Sequence, residues 1–595
     1  MKKRNVNKIM DTLRQEDLIE ALYMVNALLL IQKESTGKEN QSGIITDHFR
    51  QQGTALSENY EGLRFFSEKV DGFNKEAFYQ LCNAVKNVKK RDIHNVVFDI
   101  YEGLKANQRH SLFSGSASLI NNKAFYHFIQ ATIDFSKIKS VYDPAFGIGM
   151  GFVSILKTRK AKHIALAGQE IDALLWANMK NILAIFDRPS REIYQGDTLQ
   201  SPSNVAEETI VKYDLVLVDS PQGLKIDTDV FARDEFMRFK YGYTTKSEMA
   251  FLEHALASKK ETGLLIGLIN MNSLKEKGKE KAIRKNILLD NNLTTVIQLE
   301  KTNDGFASFT PCILIFGENQ QSDKIAMMAY KDRNSGESQG LSEYYLSEDE
   351  KRSNSIWVVM DEIKNNDYSL TPSFYIDRER LKQVNPLFEA LEKREKISLN
   401  VIADISSGIS GGIKTLSENQ KADKPNKIYF LKSSDIDTNG YVAINTEKTY
   451  WYGKDDKGVT RTVLAKNDLV FVTRGDTGKV GLVREIPEDA QIGAGMNMIK
   501  IHVKTGQYSP FLLFELFKSP YGKHLIETAI LEAGVLKKVT LKELAEFRIP
   551  ILQKRELAIF DDTYLKLLQE EERLRRQMTA LKEKKQAVFT EIWHQ

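Results

Sequence analysis

The sequence is short of several things, and each shortage excludes something. Its two cysteines, Cys82 and Cys312, lie far apart and have no metal-ligand spacing. That points to a reducing cytoplasm and argues against zinc. Neither sign of charge is in excess: 84 Lys and Arg stand against 80 Asp and Glu, a net charge of +4. Any surface for nucleic acid must therefore be local. Long hydrophobic runs are missing too. The most apolar N-terminal segment, "LIEALYMVNALLLIQ", contains Glu20 and Asn26 and is too short to span a bilayer, so it reads as a buried helix and no membrane is expected as a partner. There is also no "GxxxxGK[ST]" loop and no nuclease motif, so translocation or cutting would come from effector, nuclease or translocase subunits.

What is present divides into segments, because 595 residues exceed one hydrophobic core. Residues 1–105 show apolar positions at three and four spacing and predict a helical domain. Across 106–385 the pattern changes to short apolar runs, "VYDPAF", "HIALAGQEI", "YDLVLVDS", "GLLIGLIN", "TTVIQLE" and "PCILIFG", alternating with amphipathic segments. This predicts a multidomain α/β chain with a doubly wound, mainly parallel sheet. After a polar stretch, residues 386–552 carry glycine-broken β-type runs ("KIYFL", "DLVFVT", "VGLV", "MIKIHV") and predict a compact α+β domain. Residues 553–595 predict one long helix. Its heptad seam runs Phe560, Tyr564, Leu567, Glu571, Leu574, Met578, Leu581, Lys585, Val588, Ile592, with two charged interruptions.

The chemistry is expected at strand ends. "DPAFGIGMG", from Asp143 through Phe146, Gly147 and Gly149 to Gly151, follows the first apolar strand and lets the backbone turn sharply before a helix. Alone this is equally a tight turn in any α/β protein. "AGQEID" then places Glu170 at the end of a second strand, where a carboxylate can accept from ribose hydroxyls. "YQGDTL" places Asp197 after a third, within reach of a purine amino group. No lysine grips phosphate, which favours a nucleoside, and S-adenosylmethionine fits best. Solvated strand ends are the plain alternative for Glu170 and Asp197.

These residues carry a resemblance. "DPAFGIGMG", "GQEID", "QGDTL", "DSPQG", "RFKYGYTTKSEMAFLEHAL", "TGLLIGLIN", "KAIRKNILLDNNLTTVIQL" and "FTPCILIFG" resemble, in order, the modification subunit of type I restriction-modification systems. The resemblance covers roughly residues 10 to 320 and implies a Rossmann-like class I methyltransferase domain acting on adenine N6 in DNA. Residues 386–552 are similar to a target recognition domain of the same systems' specificity subunit, through "DLVFVTRGDTGKVGLV", "SPFLLFELFKSPYGKHLI" and "AGVLKKVTLKELAEFRIPIL". The long final helix resembles that subunit's spacer.

In that family "NPPF" or "NPPY" activates the amine: a side-chain oxygen and the next carbonyl accept its hydrogens, and the aromatic stacks on a flipped base. Here the motif is Asp219, Ser220, Pro221 and Gln222. Asp219 keeps an acceptor, Ser220 keeps a carbonyl without the ring that fixes φ, and Gln222 has no aromatic face. The family's "FYTP" ahead of the loop is replaced by "LFSGSASL", where Ser114 and Ser116 offer hydroxyls toward the cofactor. Two readings stay open, a DNA-binding methylase fold with impaired transfer and an active adenine methyltransferase. Asp219 is otherwise an ordinary polar cap after a buried strand.

Double-stranded DNA is the expected partner, in restriction-modification or phage defence. Arg474 and Lys479 in "TRGDTGKVG", with Lys537 and Lys538 in "VLKKVT", are the candidate contacts, against the alternative of solvated hairpin charges. Glu571 and Lys585 lie symmetrically about Met578 on the seam, so an antiparallel homodimeric coiled coil would bring opposite signs together. Packing on its own chain, or on another subunit's helix, is the alternative.

Overall fold

Apolar runs that do not alternate belong to strands buried on both faces, and residues 140–359 assemble such a sheet. The computed structural model describes residues 2–35, 45–104, 123–219, 221, 224–300, 302–303, 308–317, 323–330, 340–346, 354–409, 426–444, 449–452, 457–486, 488, 491–529, 531–533 and 536–593. The strands are β1 Ser140–Asp143, β2 Ala165–Glu170, β3 Ile193–Gln195, β4 Tyr213–Val218, β5 Lys259–Asn270, β6 Leu293–Gln298, β7 Pro311–Phe316, β8 Lys324–Ala329 and β9 Ser355–Val359. They lie in the order β3-β2-β1-β4-β5-β7-β6-β8-β9.

Pairing is parallel from β3 to β5 and between β6 and β8. It is antiparallel on both sides of β7 and between β8 and β9. The sheet is thus mainly parallel, as the runs predict. β7 reverses because the chain returns from β6 without the helical crossover that parallel neighbours need. β8 and β9 are additions to the expected set, hidden in the polar stretch because "KIAMMA" and "SIWVV" are short runs between polar neighbours.

Helices cover both faces. α1 Leu18–Glu34 starts at Asp17, whose side chain accepts from the amides of Ile19 and Glu20, and it is buried on all sides from Ala21 to Ile31, as an apolar circumference requires. α2 Lys123–Thr132, α3 Met150–Lys157, α4 Ala173–Ile185 and α5 Ser247–Ala257 complete the layers near the site. The strand period of two is visible on β4: Leu215 and Leu217 enter the core shared with α1 and α4, while Val216 and Val218 enter the core shared with α5. The N-terminal helices and one sheet face bury a single core. By contacts the chain divides into two compact units, Met1–Ile376 and Asp377–Gln595.

In the second unit, β10 Ala403–Ser407, β11 Leu469–Val472, β12 Val480–Leu482 and β13 Met498–Val503 pair antiparallel in the order β10-β13-β11-β12. α6 Lys554–Trp593 is a helix of 40 residues. Leu557, Phe560, Tyr564 and Leu568 pack into this unit's core, whereas Leu567, on the expected seam, is 62% exposed. Glu571 is engaged within its own chain, accepting from the Tyr441 hydroxyl at 3.2 Å and lying 3.8 Å from Arg484. Beyond it Leu574, Met578, Leu581, Val588 and Phe589 are exposed. Among the described residues no helix is long and apolar enough to cross a membrane.

Candidate active site

The strand order turns back between β1 and β4, and the carboxyl ends of strands at such a switch point open into a crevice. The turn after β1 is shaped by glycine. Gly149, at φ 84°, caps α3, and a Cβ there would sit 2.6 Å from Met179 Sδ. The left-handed φ and this close approach on α4 both favour glycine. Ile148 between the glycines is anchored from below by a buried polar chain. Asn26 donates to Asn178 at 2.8 Å, Asn178 to the Tyr101 hydroxyl at 3.2 Å, and that hydroxyl to the Ile148 carbonyl at 2.6 Å. The helical segment thus holds the loop.

Three carboxylates converge here. Asp143, ending β1 and buried, accepts from the Ala145 amide at 3.1 Å. Glu170, ending β2, accepts from the amides of Gly147 at 2.8 Å and Asp172 at 3.0 Å. Burial pushes the Asp143 carboxyl up to about 8, with Asp219 and Glu170 adding to it. Burial likewise pushes Glu170 up to about 7, against the lowering effect of its amide donors. Asp219, half-buried after β4, accepts a hydrogen bond on Oδ2 from the Tyr126 hydroxyl at 2.7 Å. Asp197 is partly exposed, and its Oδ1 accepts from the amides of Leu199 and Gln200.

The side chain of Phe146 turns inward, its ring 5.7 Å from that of Phe152, so only its backbone lines the loop. Ser114, Ser116, Ser220 and Gln222 lie outside the described residues. The Pro221 carbonyl accepts from Ser247 Oγ at 2.8 Å, which ties the motif to the start of α5.

Three further residues escape sequence reasoning. Tyr126 is remote along the chain from everything it serves. Ile171, between two acids, is 64% exposed and offers an apolar face suited to a purine; its signal is an isoleucine in "QEID". Arg238 is buried, paired with Asp234 at 2.6 Å, and donates to the carbonyls of Thr198 and Leu199, each at 2.8 Å. It fixes the turn that carries Asp197. Beside it His254 accepts from or donates to Tyr142 Oη at 2.9 Å, and burial, then the Arg238 charge, hold that imidazole well below its usual range and neutral.

In the second unit, Arg474 is exposed on the turn after β11 and forms an antiparallel bridge with Lys538. Two basic spots 64 positions apart in sequence, from 474 to 538, thus become neighbours. Lys537 occupies the same short strand, Leu536–Lys538, opposite Glu532, and its side chain lies outside the described residues. Lys479 instead donates to the Ser433 carbonyl at 2.9 Å.

Comparison with known proteins bears on the first unit. Residues 93–383 match the family model described as N-6 DNA Methylase. The type I restriction enzyme MjaVII methylase subunit of Methanocaldococcus jannaschii is 24% identical over 315 residues, covering 47% of this chain and 53% of that protein. The MpnII methylase subunit of Mycoplasma pneumoniae is 24% identical over 316 residues, covering 49% and 57%. The chain spans about half the length of the curated relatives it matches. Among solved structures, the type I restriction-modification system methyltransferase subunit from Streptococcus thermophilus superposes with a TM-score of 0.50 at 15% identity, over 63% of this chain and 99% of that one. The shared fold is a class I methyltransferase sheet.

S-adenosylmethionine is the cofactor expected of such a domain, and the residues present fit it. The glycine turn leaves backbone where a side chain would clash. Among the described residues, neither Asp143 nor Glu170 has an ion-pair partner, so the pocket has buried acid for a sulfonium to meet. Sheet order, glycine turn and family match converge: residues 93–383 are similar to the N-6 DNA Methylase family, and the curated relatives that share this stretch are type I restriction enzyme methylase subunits.

Proposed function

We propose that this protein is a sequence-specific, double-stranded-DNA-binding modification subunit of a restriction-modification or phage-defence system, in which methyl transfer to adenine N6 is slowed at Gln222. The observation that carries the reading is Asp219, an acceptor held after β4 beside the glycine loop, in a motif whose fourth residue is glutamine.

An adenine amine is a poor nucleophile while its lone pair is delocalised into the ring. Asp219 accepts one amino hydrogen and the Ser220 carbonyl the other, which favours the pyramidal geometry the transition state needs. S-adenosylmethionine, when bound, supplies the methyl group as an electrophile. Gly147 and Gly149 shape its cradle, Glu170 takes the ribose hydroxyls and Asp197 the purine amino group, with Ser114 and Ser116 toward the methionine end. What is lacking is a face for the extruded base. Base stacking on an aromatic is worth about 1–3 kcal/mol, so its absence lowers productive occupancy by about ten- to a hundredfold.

Full methyltransferase activity is the second reading, favoured by the retained and partnered Asp219 carboxylate. Arg474 and Lys538, with Lys537 and Lys479 on neighbouring segments, are proposed to meet DNA. The exposed apolar end of α6 is proposed to pair with a second copy, and effector subunits to supply cutting or translocation. The test is incubation of the full chain with tritiated S-adenosylmethionine and mixed-sequence duplexes, with calorimetry of the cofactor alone. Slow transfer to adenine with micromolar cofactor binding is expected. Rapid turnover would overturn the slowed reading, and absence of cofactor binding would leave the loop a structural remnant.

A further inference from the structure

The central strands carry acids at their carboxyl ends and cations at the other. From Pro144 to Gln169 the chain has no Asp or Glu, and the cations in and beside that stretch collect on two loops. Lys137 and Lys139 precede β1, while Arg159, Lys160 and Lys162 lie between α3 and β2, and all five are exposed. Hydrogen bonds hold the loops side by side. The Ala165 amide donates to the Lys139 carbonyl at 2.8 Å, and His163 Nε2 donates to the Ile138 carbonyl at 3.0 Å. Arg188 braces the second loop, its guanidinium donating to the Ala161 carbonyl at 3.4 Å and to that of Ile164. The backbone that presents the cations is thus fixed before anything binds.

Acids do not balance this group. Lys137 lies 4.0 Å from Asp134, whose carboxyl is held below its usual range by the Ser136 hydroxyl and amide, then by Lys137 and Lys160. Lys139, Arg159 and Lys162 have no carboxylate partner among the described residues. The negative end of α3 accounts for Lys157 in its last turn, but not for Lys139 or Lys162. Like charges gathered on adjoining loops raise the local potential and draw anions. Between Tyr79 and Ile171 no large apolar side chain is exposed among the described residues. The surface therefore lacks the aromatic and aliphatic groups on which protein interfaces centre, and it suits phosphate.

We propose that the loops at residues 137–139 and 159–162 form a second nucleic-acid surface, which grips the phosphates of a duplex other than the one presenting adenine to Asp219. β2 runs from Ala165 to Glu170, about 16 Å at about 3.3 Å per residue, so surface and acids lie at opposite ends of one strand. Duplex DNA is stiff over about 150 base pairs, and a duplex seated at the acids' end does not turn back to the other. Contacts to phosphate carry no sequence information, so the second duplex is held whatever its sequence. The chain thereby holds two stretches of DNA together. This rests on the DNA-binding reading above and is independent of whether methyl transfer is slowed.

The experiment compares the full-length wild type with a loop variant carrying Lys139→Ala, Arg159→Ala, Lys160→Ala and Lys162→Ala, all at exposed positions. A second variant carries Lys8→Ala, Lys75→Ala, Lys86→Ala and Lys466→Ala, exposed cations elsewhere, and so has the same change in net charge. Thermal melting checks that both fold as the wild type does. Sedimentation velocity with a short fluorescent duplex of mixed sequence counts the duplexes bound per chain at low salt. The wild type and the second variant are expected to take up two, and the loop variant one. Affinity for the duplex lost in the loop variant is expected to fall with salt at a slope of about 0.9 for each phosphate met. Equal uptake by the loop variant and the wild type overturns the proposal. So does an equal loss in both variants, which would trace the effect to net charge. A wild type that takes up a single duplex, and a loop variant that does the same, leave the DNA-binding reading standing without the second surface. No uptake by the wild type removes both.

Discussion

Asp143 and Glu170 are acids buried beside a glycine turn, and their protonation is where the site's electrostatics can be measured. With folded values of about 8 and about 7, both lie above the ordinary carboxylate range of about 4. Between about pH 4 and pH 8 the ligand-free folded protein therefore holds more protons than the unfolded chain, and its stability falls as pH rises through that window. A sulfonium ligand favours the ionised forms, so its binding expels protons and its affinity climbs with pH until about 8. Calorimetry of S-adenosylmethionine in buffers of different ionisation enthalpy is expected to show proton release near neutrality, and a pH-independent affinity would contradict it. Gln222 makes the second prediction at this scale. Restoring an aromatic face with Gln222→Phe is expected to raise single-turnover transfer about ten- to a hundredfold, and an unchanged rate would place the limiting step elsewhere.

Elements explain which readings the sequence supports on its own. The runs behind β1, β2, β4, β5, β6 and β7 are legible because a strand buried on both faces must be apolar throughout. Asp143 and Glu170 can be placed at strand ends because each closes such a run, whereas Asp197 follows a short strand that is mostly exposed. β8 and β9 are not legible, since short edge runs look like any polar stretch with a few aliphatics. The turn after β11 shows the same limit for charge. Arg474 and Lys538 meet only because two distant strands bridge, while Lys479 is drawn to Ser433. Arg474→Ala and Lys538→Ala are each expected to weaken duplex binding similarly across sequences and to reduce the salt slope by about 0.9 if each meets one phosphate. Lys479→Ala is expected to leave that slope unchanged. Binding titrations between low and moderate salt separate the two outcomes.

For the whole molecule, α6 differs along its length, packed in its first half and exposed beyond it. Its first half completes the second unit's core through Phe560, Tyr564 and Leu568, so removing the helix entirely would unseat that core and confuse pairing with unfolding. Ending the chain after Arg576 keeps those contacts and the Glu571 pair with Tyr441, while deleting the exposed Met578, Leu581, Val588 and Phe589. If the far half pairs with a second copy, light scattering is expected to give the mass of a dimer for the full chain and of a monomer for the shortened one. Equal masses would rule out pairing through that half. Because Glu571 is held within its own chain, a seam in α6 gains nothing from setting it against Lys585, and the exposed apolar stripe alone would drive association.

The sequence by itself determined the local features: the helical beginning, the apolar strands, the glycine turn, the acids behind it and the long final helix. Each is written in neighbouring residues through periodicity and turn chemistry. Tertiary structure alone decided which distant groups meet: the Tyr126 phenol on Asp219, Arg238 on the turn of Asp197, Arg474 beside Lys538, Glu571 against Tyr441. Hydrogen bonds of that kind depend on how packed faces bring segments together, and no spacing along the chain encodes them.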